Sequence, residues 1–259
     1  MKNVSGVQSL NDNYLKYLGR NHDAQRAISA YQTVKDAGFD NVSVDLMYSF
    51  PQQTIAELKT DIDRMCRLNS DHISIYTLTI EENSRFFAKQ VSLDGQDILV
   101  EQHTLVEQCL KERGFYQYEV SNFAKKNKES IHNVNYWLCG NYIGLGVGAH
   151  SHRDGLRSWN VSKLNEYIKR FQDGLSAKAG QEELTQQARF MEAVLFGLRM
   201  NQGIDLGSIE KRFGCPMPQE KRELLDRWAI EGFVTRDKDR WKATDRGRLV
   251  LDDLSAKLI

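Results

Sequence analysis

The chain has 259 residues, 41% of them hydrophobic, with 35 lysines and arginines set against 35 aspartates and glutamates. That length can hold one large domain, or a domain with a small appendix, around an ordinary buried core. The zero net charge excludes a long-range field that would gather nucleic acid, anionic membrane or acidic substrates, so any such partner needs a local patch.

No stretch approaches the roughly twenty apolar residues of a membrane-spanning helix, and residues 1–5 do not lead into the apolar region of a signal peptide. The expectation is a soluble, cytoplasmic protein with at most peripheral membrane association. In chain order, Gly6, Val7, Gln8 and Ser9 read as the end of a strand with only five residues before it, so the chain reads as opening inside an architecture, as a fragment of a longer protein. Asp23 is a good N-cap for a helix carrying Ala24, Ala27, Ile28, Tyr31 and Val34, closed by Gly38. A strand over 42–48 follows. Thr54 and Glu57 then form a capping box ahead of Leu58, Ile62, Met65 and Cys66. A second strand over 72–80 and a helix from about Asp97 to Gly114 continue the alternation, which predicts a parallel sheet with right-handed crossovers.

The segment 118–152 gathers aromatics, histidines and glycines outside any obvious helix. His132, Asn133, Val134, Asn135, Tyr136 and Trp137 offer one nitrogen ligand, amide groups and flat apolar faces, a set suited to a planar ligand carrying a metal. Residues 144–149 contain the GxGxxA pattern of dinucleotide sites but run into a turn instead of opening a helix, so they are expected to permit close backbone approach. His150 and His152 share one side of an extended segment. Cys66, Cys109, Cys139 and Cys215 never form a CxxC pair, which removes the sequence support for structural zinc or a redox dithiol; Cys66, Cys109 and Cys139 read as packed thiols.

Past Gly155 the pattern changes. A surface helix is expected over 160–171, a polar loop over 172–183, a long amphipathic helix from Thr185, further helices over 206–213 and 219–231, and a hairpin with a charged turn over 232–244. These divide the chain into 1–155, a connecting 156–184, and a winged-helix-like 185–259. Arg236, Lys238, Arg240 and Lys242 could meet a nucleic-acid backbone, but Asp237 and Asp239 interleave them, so a packing or partner-binding wing is expected.

The phrases GVQS at 6–9, LGR at 18–20, VDLMY at 44–48, PQQT at 51–54 and HNVNY at 132–136 occur in one order along nearly the whole chain. In this the chain resembles the oxygen-independent coproporphyrinogen III oxidase-like family of radical S-adenosylmethionine (SAM) proteins, with HNxxY resembling its haem chaperone branch. The resemblance implies an α/β fold, namely the C-terminal portion of a partial (β/α) barrel with a small winged-helix-like α+β domain. It implies S-adenosylmethionine contacts at Gln8, Arg20 and Asp45, with Met47 beside the adenine. It implies haem binding at His132, as the metal ligand, and Tyr136, with Trp137 packing nearby and Asn133 holding the loop. Haem or porphyrin and haem-accepting apoproteins would be the partners, and a homo-oligomer is possible; nucleic acid is not expected.

Two departures stand out. The CxxxCxxC ligands of the family's [4Fe-4S] cluster do not occur in these residues. Where the family reads YGLPGQT, this chain has Ser49 and Gln52 in place of the two glycines, which bears on cofactor affinity. Three functions stay open: a haem chaperone, an oxygen-independent coproporphyrinogen III oxidase, and a winged-helix nucleic-acid binder.

Overall fold

The computed structural model describes residues 2–258, with side chains from Gly6 onward. By internal contacts the chain divides into two compact units, Met1–Ser130 and Ile131–Ile259. The expected boundary at Gly155 falls instead at the turn of a hairpin in the second unit.

In the first unit β1 (Lys2–Gln8) is followed by α1 (Asp12–Tyr17), α2 (Ala24–Asp36), β2 (Asn41–Tyr48), α3 (Ile55–Arg67), β3 (His72–Thr77), α4 (Arg85–Ala88), α5 (Gln96–Glu112), β4 (Tyr116–Glu119) and β5 (Asn122–Ala124). The helix signals act as the sequence implied. Asp23 caps α2, and Thr54 and Glu57 close both halves of the capping box at α3. The sheet order is β1-β2-β3-β5-β4, with β1, β2 and β3 parallel. The parallel expectation stops there, because β5 runs antiparallel to both β3 and β4. Only two residues join β4 to β5, and a connection that short can serve only an antiparallel pair. Glu119 fixes that turn by accepting from the Ser121 backbone N–H at 3.2 Å and from the Asn122 amide. The class is α/β, as read, and the sheet does not close into a barrel among the described residues.

One face of this sheet is core. Val42, Val44, Leu46 and Tyr48 of β2, Ile73 and Ile75 of β3, and Phe123 of β5 pack on Leu58, Ile62 and Met65 of α3 and Val106 and Leu110 of α5. Alternation along each strand therefore sends Ser43, Asp45 and Met47, and His72, Ser74 and Tyr76, to the other face.

The second unit begins with α6 (Ile131–Trp137), then the antiparallel sheet β6 (His150–Arg153), β7 (Leu156–Asn160) and β8 (Lys178–Glu183), with α7 (Leu164–Gln172) between β7 and β8. Residues 172–183 were expected to be a loop, but the second half of that stretch is β8. Its KAGQEE sequence hides the strand because nearly every side chain is exposed. Gly180 is the informative position there, since a Cβ on it would lie 2.5 Å from the Trp159 ring of β7. The remainder is α8 (Gln186–Arg199), β9 (Ile204–Asp205), α9 (Leu206–Phe213), α10 (Gln219–Ile230), β10 (Val234–Asp237), β11 (Arg240–Ala243), α11 (Asp245–Leu249) and α12 (Leu251–Leu258). The expected wing is the β10–β11 hairpin, which β9 extends to three strands. Trp241 plugs it, fully buried, with the Arg236 guanidinium 4.8 Å above its ring. No described helix is long and apolar enough to cross a membrane.

Candidate functional site

In the first unit, Gln8 ends β1 and pairs in register with Leu46, the neighbour of Asp45. Gln8 has φ 67°, a left-handed turn that ends the strand and directs the chain into Ser9 and Leu10. Both of those residues are buried, and α3 holds them. Asp61 accepts from the Leu10 N–H at 2.6 Å and from the Ser9 hydroxyl, while Arg64 donates to the Leu10 carbonyl. Asp61 sits on the apolar stripe of α3, three residues after Leu58. An acid on that stripe was the signal for this anchor, and pattern reading passed over it. Burial raises its pKa, against the two hydrogen bonds that favour the carboxylate.

Asp45 lies on the polar face of the sheet opposite Ser74, with Met47 opposite Tyr76. Burial raises the Tyr76 phenol above its ordinary value, and the nearby Asp45 and Glu119 carboxylates add to the effect. Beside them runs a buried chain that the sequence did not expose: Ser43 Oγ to His72 Nδ1 at 2.7 Å, then His72 Nε2 to Tyr118 Oη at 2.7 Å. Thus Gln8 and Asp45 stand on adjacent strands. Arg20 is exposed in the turn after α1, where its guanidinium makes no hydrogen bond or ion pair among the described residues.

The loop 48–54 explains the family's glycines. Ser49 has φ 63° and Gln52 has φ 62°, the left-handed region where a Cβ costs about 1–2 kcal/mol. These are the two positions at which the family reads glycine. The Gln52 side chain is exposed, and its N–H donates to Asp94 at 3.0 Å, a bond that glycine would keep. Gln52→Gly is therefore expected to raise the melting temperature by about 2–4 °C; a decrease measured by calorimetry would refute the strain argument.

In the second unit the loop reading of 132–137 is corrected. These residues form α6, and the chain ahead of them is pinned: Lys125 N–H donates to Asp71 O at 2.9 Å, Lys128 N–H to Lys125 O at 2.9 Å, and Ser130 N–H to Tyr118 Oη at 3.3 Å. Helical spacing puts His132 and Tyr136 one turn apart on one face, with ring centroids 4.6 Å apart and edge-on at 88°. Tyr136 in turn meets Tyr142 at 4.4 Å. His132 is exposed, and its ring nitrogens make no hydrogen bond among the described residues. Asn135 braces the turn after α6 by donating to Asn141 O at 3.1 Å. Trp137 leaves that face, meeting Phe196 at 5.9 Å beneath the Arg199 guanidinium.

The other candidates are placed differently. His152 is buried against Gly140 O at 3.1 Å, while His150 lies on Trp159. No group of three or more metal-capable side chains occurs among the described residues. Gly144 would place a Cβ 2.0 Å from His150 O, the close approach expected of this glycine run, and the run opens no helix. Burial pushes the thiols of Cys66 and Cys139 up to about 11, so each is a thiol near neutrality.

A mixed α/β sheet with one polar face, and a second unit with a three-stranded wing, make up a fold similar to that of coproporphyrinogen III oxidase (HemN) from Escherichia coli, described as a radical SAM enzyme. The two superpose with a TM-score of 0.83 over 99% of this chain and 63% of that one, at 19% identity. Residues 184–250 match the HemN C-terminal domain family. The chain is 28% identical to the "Heme chaperone HemW" of Lactococcus lactis over 96% of its own length and 69% of that protein, and 31% identical to that of Haemophilus influenzae over 98% and 66%. It is 35% identical to "Radical S-adenosyl methionine domain-containing protein 1, mitochondrial" of Danio rerio, over 77% of this chain and 48% of that protein. This chain belongs to the oxygen-independent coproporphyrinogen III oxidase-like radical SAM family, on its haem chaperone side. It spans about two thirds of the length of the chaperones it matches.

Proposed function

We propose that this chain binds haem through His132 and hands it to acceptor proteins. The observation that carries the reading is the exposed His132 imidazole, with no hydrogen bond among the described residues, held edge-on to Tyr136 on a helix of a chain similar to haem chaperones. A histidine used for packing would spend its ring nitrogens on the protein, as His72 and His152 do. A helix gives the ligand a fixed direction, and Tyr136 supports a flat apolar partner beside it. Spectrophotometric titration with haem tests the reading, with a one-to-one complex expected.

S-adenosylmethionine is the second ligand proposed, on Gln8, Arg20 and Asp45. Their chemistry fits. A free guanidinium suits a carboxylate, Asp45 can accept from ribose hydroxyls, and Gln8 can do either. The [4Fe-4S] cluster does not fit the residues present, because no CxxxCxxC occurs and no three metal-capable side chains gather among the described residues. In radical SAM enzymes the cluster and S-adenosylmethionine together supply the radical chemistry, so no such step is assigned to these residues. Without bidentate chelation by an iron, a few polar contacts give weak binding. Calorimetry is expected to register no micromolar affinity of this chain for S-adenosylmethionine, and micromolar binding would refute this.

The nucleic-acid reading has little to stand on. Arg236 pairs with Asp226 at 2.7 Å and covers Trp241, while Arg240 donates to Gln202 O at 3.2 Å. Those cations serve the wing itself.

A further inference from the structure

We propose that Arg189 and Arg212 form a carboxylate cradle that takes the two propionates of the haem ligated by His132, an inference that rests on the haem reading above. The starting point is a distribution of charge within the second unit. Arg157, Arg199, Arg222 and Arg236 each face a carboxylate within 4 Å, at 2.7, 2.5, 2.6 and 2.7 Å for their nearest partners. Arg189 and Arg212 face none among the described residues. Instead both lie over one ring: the Arg212 guanidinium is 4.9 Å and that of Arg189 5.7 Å from the centroid of Phe213. Two like charges sharing one aromatic repel each other, and the quadrupole of a single ring offsets that only in part. A ligand with two neighbouring carboxylates turns the repulsion into attraction, and a guanidinium is the side chain best shaped for a carboxylate.

Their position selects the ligand. Arg212 Nη1 donates to the carbonyl of Leu138 at 3.3 Å, so this pair stands at the end of α6. Leu138 lies just past the C-terminal end of α6, the helix whose first turn carries His132. Arg212 also borders a groove of about 220 Å³ lined by Trp137, Leu138, Met200, Ile204 and Ile209, with Asp205, which accepts from the Ser208 N–H, also in its lining. The cradle is built to hold its shape. A Cβ at Gly155 would come within 2.9 Å of Arg189 Cδ, so the β6–β7 turn closes on that side chain. The thiol of Cys139 is kept neutral mainly by burial and then by the Glu192 carboxylate, which is paired with Arg157, against the opposing charges of Arg212, Arg157 and Arg189.

The test compares haem with iron protoporphyrin dimethyl ester, in which both propionates are masked, on the whole chain. Wild type is expected to bind haem about tenfold or more tightly than the diester. Arg189→Gln with Arg212→Gln should lower haem affinity about tenfold while leaving diester affinity and the Soret maximum unchanged, because His132 still ligates. Arg189→Lys with Arg212→Lys should restore most of the loss. Unchanged haem affinity in the glutamine pair, or equal losses for haem and diester, overturns the cradle and leaves His132 ligation standing. A broad wild-type band with excess stoichiometry and indifference to His132→Ala overturns the haem reading and the cradle with it.

Discussion

Haem titrated into this chain gives a sharp Soret band that saturates at one equivalent, and His132→Ala shifts that band and weakens binding on the order of 100-fold. Removing outer-shell partners of a metal ligand already costs about 10–100-fold, so loss of the ligand itself falls at or above the top of that range. The geometry gives the reason. His132 is exposed on α6, its ring meets Tyr136 edge-on, and neither ring nitrogen makes a hydrogen bond among the described residues. Tyr136→Phe should keep the band, since the ring contact survives, whereas Tyr136→Ala should broaden it. The rival is adsorption of haem on exposed apolar side chains, of which Ile131, Ile143 and Leu145 are more than 80% exposed. Adsorption predicts a broad band, several equivalents and no response to His132→Ala; an unchanged spectrum and affinity in that variant would sink ligation here. Cys139 is a poor substitute ligand near neutrality, because burial holds its sulfur as the thiol.

Much of this was legible in the residues, and the parts that were not share a physical cause. Caps and stripes announced α2, α3 and α5, because Asp23, Thr54 and Glu57 act on backbone groups within one turn. The wing was legible for the same local reason, since Lys238 turns the hairpin at φ 54°. What escaped depended on partners far along the chain. β8 looks like a polar loop until β7 supplies its hydrogen bonds and Trp159 its cover. α6 escaped because Asn133, Asn135 and the aromatics have weak helix preference, and with no buried stripe the segment reads as irregular even though Ser130 precedes it. Its helicity converts the HNxxY spacing from a loop motif into two side chains on one face. In the first unit, Gln8, Arg20 and Asp45 were readable as positions of a family pattern, but the anchor behind Gln8 was not. Asp61 lies 52 residues from Ser9, and only the fold brings them together.

That anchor has a large expected effect on stability. Asp61→Ala should destabilise the first unit by about 3–5 kcal/mol, because it removes two hydrogen bonds from buried donors to a carboxylate, each worth roughly 1.5–3 kcal/mol, and leaves the Leu10 N–H and Ser9 hydroxyl without an acceptor. Asp61→Asn keeps an acceptor for Leu10 and should cost much less, and its behaviour with pH separates charge from shape. Burial raises the Asp61 pKa above the ordinary 3.8, with the bonds from Ser9 and Leu10 and the charge of Arg64 opposing the shift, and the phenol of Tyr14 close by. The folded chain therefore holds a proton that the unfolded chain releases. This contribution to stability is fully present below the unfolded value of 3.8 and is lost as the pH rises through the raised folded value. Asparagine cannot titrate, so urea midpoints should show the wild type losing ground to Asp61→Asn as the pH climbs from about 3.5 through the mildly acidic range. A difference that stays flat, or moves the other way, would mean that the carboxylate is not desolvated as described. The cost of keeping an acid there is intelligible through Gln8. A neutral acceptor could hold the Leu10 amide, but the carboxylate holds Leu10 and Ser9 together, directly after the left-handed turn at Gln8 that ends β1.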